Sequence, residues 1–124
     1  MKYLILIHQN RGAREQFAAM PADVQASGMQ AYYDLNAELA GTGELVSAEA
    51  LADDTTATVL SLKSGSVVTS DGPFAESKEL LAGFYLVDVS SLGRALEIAA
   101  KIPEVQAGAG DVEVRPVMDT AAMA

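Results

Sequence analysis

The positions of apolar residues along the chain predict an alternation of strands and helices. Residues Tyr3–Ile7 form an unbroken apolar run, which is typical of a central strand covered on both faces. From about residue 22 to residue 39 the apolar positions recur near one helical face and predict a long helix. Pro21 suits the first turn of this helix, although Gly28 weakens the prediction that it is unbroken.

The middle of the chain predicts four strands and a tight turn. Residues 44–51 form a short β-prone segment. Residues 56–70 contain two more such segments joined by Ser64-Gly65, which predicts a β-hairpin. Residues 80–89 are strongly apolar and predict a further strand.

The last third of the chain predicts a second helix and a final strand. Ser90-Ser91 can cap a helix with apolar positions at helical spacing, and Pro103 ends it. Residues 104–110 then predict a loose loop before a strand at 112–117. The prediction is therefore one domain over residues 1–118, with residues 119–124 as a frayed tail.

The order of these elements predicts an α+β fold. Without the hairpin the order is βαββαβ, the ferredoxin-like arrangement, with both helices on one face of a mostly antiparallel sheet. The other face would carry apolar side chains with nothing to cover them, and such a face normally marks a partner. We therefore expect a ferredoxin-like domain with an inserted β-hairpin that forms a dimeric α/β barrel as a two-fold homodimer.

Composition excludes several classes of protein. The 124 residues include no cysteine and one histidine, which excludes a disulfide scaffold and a structural zinc site. A net charge of −9 without a basic stripe argues against nucleic-acid binding. No apolar segment approaches the roughly 20 residues of a membrane span, so we expect a cytoplasmic protein. No phosphate loop, dinucleotide fingerprint or metal-binding pattern is present, so no cofactor is expected.

The stretch 70–89, SDGPFAESKELLAGFYLVDV, contains the most specific candidate for a site. Asp71-Gly72-Pro73 is turn chemistry, because Asp accepts from backbone N–H groups and Pro fixes its own φ. The alternative is that this rigid turn holds the Asp71 carboxylate at a cleft as a general base or ligand anchor. Phe74 is either a core plug or a ligand wall.

Five further residues complete the candidate set. His8 ends the first strand and is the one histidine that could exchange a proton near neutral pH, either catalytically with Asp71 or as a plain polar terminus. Glu76 and Lys78 are either solvated charges or ligand contacts. Tyr85 and its neighbour Phe84 must face opposite sides of the sheet, one of them a pocket. Arg115 needs a carboxylate partner or water and is otherwise a ligand contact.

The start MKYLILIH, the segment TSDGPFAESKELLAGFYLVDV and the end VEVRPVMD together resemble the YCII-related family, in the branch named after its DGPF tetrapeptide. The resemblance covers nearly the whole chain and implies a dimeric α+β barrel. It also implies suspected enzymes that use a His–Asp pair, among them a dehydrochlorinase of a chlorinated hydroxyquinol. The family histidine lies on the first long helix, and that helix has no histidine here.

Two functions follow as expectations. The first is a homodimer with a small-molecule cleft near the 71–79 segment and cofactor-free acid/base or elimination chemistry. The second comes from the resemblance, because some related domains are attached to sigma-factor-like regions. It is a non-catalytic sensing or interaction module linked to transcription initiation.

Overall fold

The computed structural model describes residues 1–74 and 77–123 of the chain. The strands in this part are β1 (Lys2–Asn10), β2 (Leu45–Ala50), β3 (Thr58–Lys63), β4 (Ser66–Asp71), β5 (Glu79–Asp88) and β6 (Gly110–Pro116). The helices are α1 (Arg11–Ala18), α2 (Ala22–Thr42), α3 (Leu92–Ala100) and α4 (Pro103–Ala107). Short 3-10 turns lie at Asp54–Thr56 and at Thr120–Met123, the latter within the segment expected to be frayed.

Two antiparallel sheets organise the fold. Four strands form one sheet in the order β2-β5-β1-β6, and each neighbouring pair is antiparallel. Strands β3 and β4 form a separate two-stranded sheet. The predicted α+β class is confirmed. No helix in the described part of the chain is long and apolar enough to cross a membrane.

The core lies between the four-stranded sheet and the helices. Alternate residues of β1 and β5 point into it and meet apolar residues of α2 and α3. The fully buried side chains of greatest volume are Ile5, Leu39, Val87, Ile98 and Ile102. The intervening residues of β1, Leu4 and Leu6, are only half-buried. The expectation that β1 is covered on both faces is therefore wrong for a single chain.

The β3–β4 hairpin has the predicted turn. Ser64 and Gly65 both have positive φ, 51° and 80°, as a two-residue hairpin turn of the I′ kind requires. The ladder pairs Lys63 with Ser66 next to the turn and ends with Thr58 opposite Asp71. Asp71 is thus the last residue of a strand, at the end of the hairpin away from the turn.

Helix α2 runs unbroken through Gly28, against the doubt raised by that glycine. The reason for glycine there is a packing contact between α1 and α2. A Cβ at residue 28 would lie 3.0 Å from the ring of Phe17, so a larger residue would push α1 away. The helix ends at Thr42, where Gly43 adopts the left-handed conformation with φ 77°.

The segment after α3 differs from the prediction of a loose loop. Helix α3 ends at Ala100, two residues before the core residue Ile102. Pro103 then begins a second short helix, α4, instead of only ending the first one. Proline is suited to a first helical position, because its missing N–H has no intrahelical partner there. Glu104, the second residue of this helix, is buried in the interior.

Candidate functional site

A buried carboxylate forms the centre of the candidate site. Glu104 is 8% exposed and is the one charged residue among the buried residues of the described chain. The Gln9 amide Nε2 donates to Glu104 Oε1 at 2.8 Å, and the Tyr32 hydroxyl donates to Oε2. Within the described residues no lysine, arginine or histidine forms an ion pair with Glu104. The carboxylate is therefore held by neutral donors alone.

Close backbone contacts bring these side chains together. Gln9 lies at the end of β1 opposite Gly110 of β6, where a Cβ would collide with the backbone carbonyl of His8. Gly83 of β5 faces β2 in the same way, since a Cβ there would lie 2.6 Å from the carbonyl oxygen of Glu49. The two glycines let β6 approach β1 and β2 approach β5 closely beneath the site.

The Gln9 amide is oriented from both ends. Arg14 Nη1 donates to Gln9 Oε1 at 2.9 Å, so the Nε2 end of the amide faces Glu104. Arg14 also lies near Asp53, with 3.6 Å between Nε and Oδ2. Arg14 acts on the carboxylate through Gln9 and not by direct contact. The chain Arg14, Gln9, Glu104, Tyr32 thus links α1, β1, α4 and α2.

Two tyrosines form the wall beside Glu104. The rings of Tyr32 and Tyr85 are stacked, with centroids 6.5 Å apart and an angle of 27° between their planes. The Tyr85 hydroxyl donates to Asn36 Oδ1. Burial raises the pKa of Tyr85 to about 12. Burial and the hydrogen bond to Glu104 raise the pKa of Tyr32 well above its usual range. Both phenols are therefore protonated at neutral pH.

Two cavities adjoin the buried carboxylate and share Gln9, Met29, Tyr32 and Glu104 as lining residues. The first, here called the Arg14 cavity, has a volume of about 230 Å³ between α1, α2 and α4. Its further lining includes Ala13, Arg14, Phe17, Gly28, Pro103, Ala107 and Ala109. The second, here called the tyrosine cavity, has a volume of about 260 Å³ between α2 and strands β2 and β5. Its further lining includes Ile7, Tyr33, Asn36, Ala48, Glu49, Ala50, Ala82, Gly83 and Tyr85.

Small side chains on the sheet leave the space for the tyrosine cavity. Ala48 and Ala50 of β2 and Ala82 and Gly83 of β5 lie where larger residues would fill the gap under α2. A carboxylate beside such a space can accept a proton from a bound molecule. No cluster of three or more carboxylate, histidine or cysteine side chains suited to a metal ion occurs in the described residues.

The structure places one predicted site residue in this cleft. Tyr85 lines the tyrosine cavity and is 3% exposed, whereas Phe84 on the opposite face is half-buried. His8 lies next to Gln9 on β1, so its side chain points to the other face of the sheet. No hydrogen bond joins His8 to Asp71 among the described residues.

The remaining predicted residues lie at the surface. Asp71 is exposed, and its carboxylate accepts no hydrogen bond from a described residue. Phe74 is 89% exposed and plugs no core within the single chain. Lys78 is exposed, and Arg115 is exposed without an ion pair among the described residues. Glu76 lies outside the described residues. None of these residues lines either cavity beside Glu104.

Sequence reasoning missed Glu104, Gln9, Tyr32 and Asn36 as site residues. Glu104 falls in a segment predicted as a loop, Gln9 in a polar, turn-like segment after the first predicted strand, and Tyr32 and Asn36 on the predicted long helix. One available signal was the dipeptide Pro103-Glu104, since a proline followed by an acidic residue is typical of a first helical turn. That pattern would have placed Glu104 on a helix against the core.

Comparisons with known proteins agree with this architecture. The family model for the YCII-related domain matches residues 1–121. An uncharacterized protein of Rhizobium meliloti (strain 1021) is 41% identical over 75 residues, which span 60% of this chain and 60% of that protein. The solved structure of 5-chloro-2-hydroxyhydroquinone dehydrochlorinase (TftG) from Burkholderia phenoliruptrix AC1100, in complex with 2,5-dihydroxybenzoquinone, is 13% identical with a TM-score of 0.51. That likeness covers 95% of this chain and 94% of the other and concerns the fold. The chain belongs to the YCII-related domain family.

Proposed function

We propose that this protein binds a small molecule in the cleft formed by the two cavities and catalyses cofactor-free proton transfer or elimination, with Glu104 as the proton acceptor. The observation that carries the proposal is the buried carboxylate, which has no basic partner among the residues that the structure describes. Burying a charge is costly unless it is paired, and neutral hydrogen bonds offset only part of that cost. Such a group beside a cavity is a functional-site candidate on physical grounds.

The proposed step uses groups on both sides of the tyrosine cavity. A C–H or O–H proton of the ligand moves to Glu104, and its electron pair stays on the ligand as an anion or expels a leaving group. The side-chain oxygen of Asn36 accepts the hydrogen bond from the Tyr85 hydroxyl, and its amide nitrogen has no partner among the described residues. It is a donor that can stabilise an oxygen on which negative charge develops.

The similar solved structure supports the reaction class. It is named as a dehydrochlorinase, and loss of hydrogen chloride is an elimination that begins with removal of a proton. At 13% identity the likeness does not identify the ligand of this chain, which depends on the residues that line its own cavity. Fold alone would not decide the activity, because one fold hosts many functions.

The uncovered face of the sheet supports the dimer in this proposal. Leu4, Leu6, Phe84 and Leu86 lie on the face of β1 and β5 opposite the helices, and each is half-buried. The strand order β2-β5-β1-β6, with the hairpin set aside, is that of a ferredoxin-like unit. Two such units packed face to face would cover these residues and form the dimeric barrel.

Proton transfer can be tested by isotope exchange, which requires no identified product. Small polar and aromatic molecules are screened by thermal shift. Each hit is then incubated with the protein in D₂O, and the loss of its carbon-bound protons is followed by NMR. The wild type should catalyse deuterium incorporation into at least one hit. Glu104→Gln should lose the incorporation even at concentrations of the hit that saturate the variant, because it removes the proton acceptor.

Matched variants separate the alternatives. Asp71→Asn should retain incorporation, because Asp71 lies on the hairpin and lines neither cavity. Loss of incorporation in Asp71→Asn with Glu104→Gln unaffected would transfer the site to the 71–79 segment. Binding of many hits without incorporation into any of them would contradict catalysis and favour the sensing module.

A further inference from the structure

The lining of the tyrosine cavity carries negative charge and no positive charge. Glu104 lines it, and no lysine, arginine or histidine is among its described lining residues. The side chain of Glu49 points to the opposite face of the sheet, because Glu49 pairs with Phe84 of β5. Arg14 lines the other cavity and reaches Glu104 only through Gln9. The whole chain has a net charge of −9, which favours approach of cations over anions.

The aromatic groups of the cavity add to this preference. Tyr32, Tyr33 and Tyr85 supply three rings, and tyrosine faces attract organic cations through their negative quadrupole. The hydroxyl protons of Tyr32 and Tyr85 are already donated, to Glu104 and Asn36. What these two phenol oxygens offer to a ligand is therefore acceptor lone pairs, as an ammonium group requires.

We propose that the tyrosine cavity binds a small organic cation, an alkylammonium group attached to an apolar body, with Glu104 as its negative partner. The inference rests on the proposed function, because it names the class of ligand for the same cleft. A bound ammonium supplies the positive charge that Glu104 lacks within the described chain. The apolar body lies against Met29 and the tyrosine rings, in a volume that suits a single-ring compound.

The test compares a cation with its neutral counterpart. Binding of 2-phenylethylamine, protonated at pH 7, and of 2-phenylethanol is measured by isothermal titration calorimetry. The wild type should bind the amine about tenfold more tightly than the alcohol, since the two differ mainly in charge. Glu104→Gln should weaken the binding of the amine by about tenfold or more and change the affinity for the alcohol by less than about twofold.

Two other variants keep the test decisive. Glu15→Gln removes an exposed acid of α1 that lines neither cavity, and it should leave amine binding unchanged. An equal loss in Glu15→Gln and Glu104→Gln would reduce the effect to overall charge and overturn the inference. Should Glu104→Gln not fold, Tyr33→Leu alters an exposed ring at the cavity and should weaken binding of tetramethylammonium, which cannot donate hydrogen bonds.

The outcomes also separate this inference from the proposed function. If the alcohol binds as tightly as the amine, or the amine does not bind, the cation inference fails. The proposed function then still stands or falls by deuterium incorporation into neutral hits. If the amine binds and needs Glu104 but no hit incorporates deuterium, the cleft is a cation-binding site and catalysis is excluded.

Discussion

Replacing Tyr32 by phenylalanine tests whether the network around Glu104 has the energetic weight that its geometry indicates. The substitution keeps the ring that stacks on Tyr85 and removes the hydroxyl that donates to the buried carboxylate. Glu104 then retains the hydrogen bond from Gln9 alone among the described residues. A hydrogen bond to a charged group contributes about 1.5–3 kcal/mol, so we expect a loss of about 2 kcal/mol in the free energy of unfolding.

The matched control is the next residue in the sequence. Tyr33 is 58% exposed, and no hydrogen bond of its hydroxyl occurs among the described residues, so Tyr33→Phe should change stability by less than about 0.5 kcal/mol. Urea unfolding followed by circular dichroism measures both variants at one protein concentration, because a dimer makes stability depend on concentration. In a thermal melt the difference corresponds to roughly 6–10 °C for a chain of this size.

A double-mutant cycle assigns the effect to the pair. In a Glu104→Gln background the acceptor is neutral, so removal of the Tyr32 hydroxyl should cost only about 1 kcal/mol. The difference between the stability losses in the two backgrounds is the part of the hydrogen-bond free energy that depends on the charge of Glu104. Equal losses for Tyr32→Phe and Tyr33→Phe, or a cycle without coupling, would refute the reasoning that Glu104 is a buried charge held by Tyr32.

Four further predictions concern other parts of the structure. Because the folded-state pKa of Tyr85 is about 12 against the usual 10, its contribution to stability is complete below pH 10 and is lost as the pH rises through 12. Denaturation midpoints across that range should fall less steeply in Tyr85→Phe. Gly83→Ala should destabilise by about 1–3 kcal/mol, because its Cβ would press on the β2 backbone. Gly41→Ala, in α2 with open space around it, should stabilise by about 0.5–1 kcal/mol in the same urea assay. Leu6→Asp should convert the proposed dimer to a monomer in sedimentation experiments, whereas Leu96→Asp on the exposed side of α3 should stay dimeric.

Much of the fold could be predicted from the sequence because its signals are local. The β3–β4 turn needs residues that accept positive φ, and Ser64-Gly65 supplies them within two positions. The strand at 80–89 and the long helix carry their periodicity within a single window. The segment after α3 was mispredicted because proline is compatible both with the end of one helix and with the start of another.

The candidate site could not be predicted in the same way, because its contacts are not local. Gln9 and Glu104 are separated by 95 positions, and Tyr32 and Glu104 by 72. No motif joins residues at such distances, and each of them is ordinary in its own segment. The 71–79 segment drew attention because its turn residues are dense and specific. Turn chemistry is visible in sequence, whereas a buried charge becomes visible only when the chain folds around it.

The central claim is that small molecules bind in the cleft beside Glu104, and a methyl resonance reports on it directly. Met29 lines both cavities, whereas Met1, Met20 and Met118 line neither. With ¹³C-methyl methionine, each compound that raises the melting temperature is titrated into the wild-type protein and into Tyr32→Phe. We predict a saturable shift of the Met29 resonance, with the Met1, Met20 and Met118 resonances unchanged and the affinity altered in the variant. Shifts confined to Met1, Met20 or Met118, with Met29 unmoved, would contradict the claim.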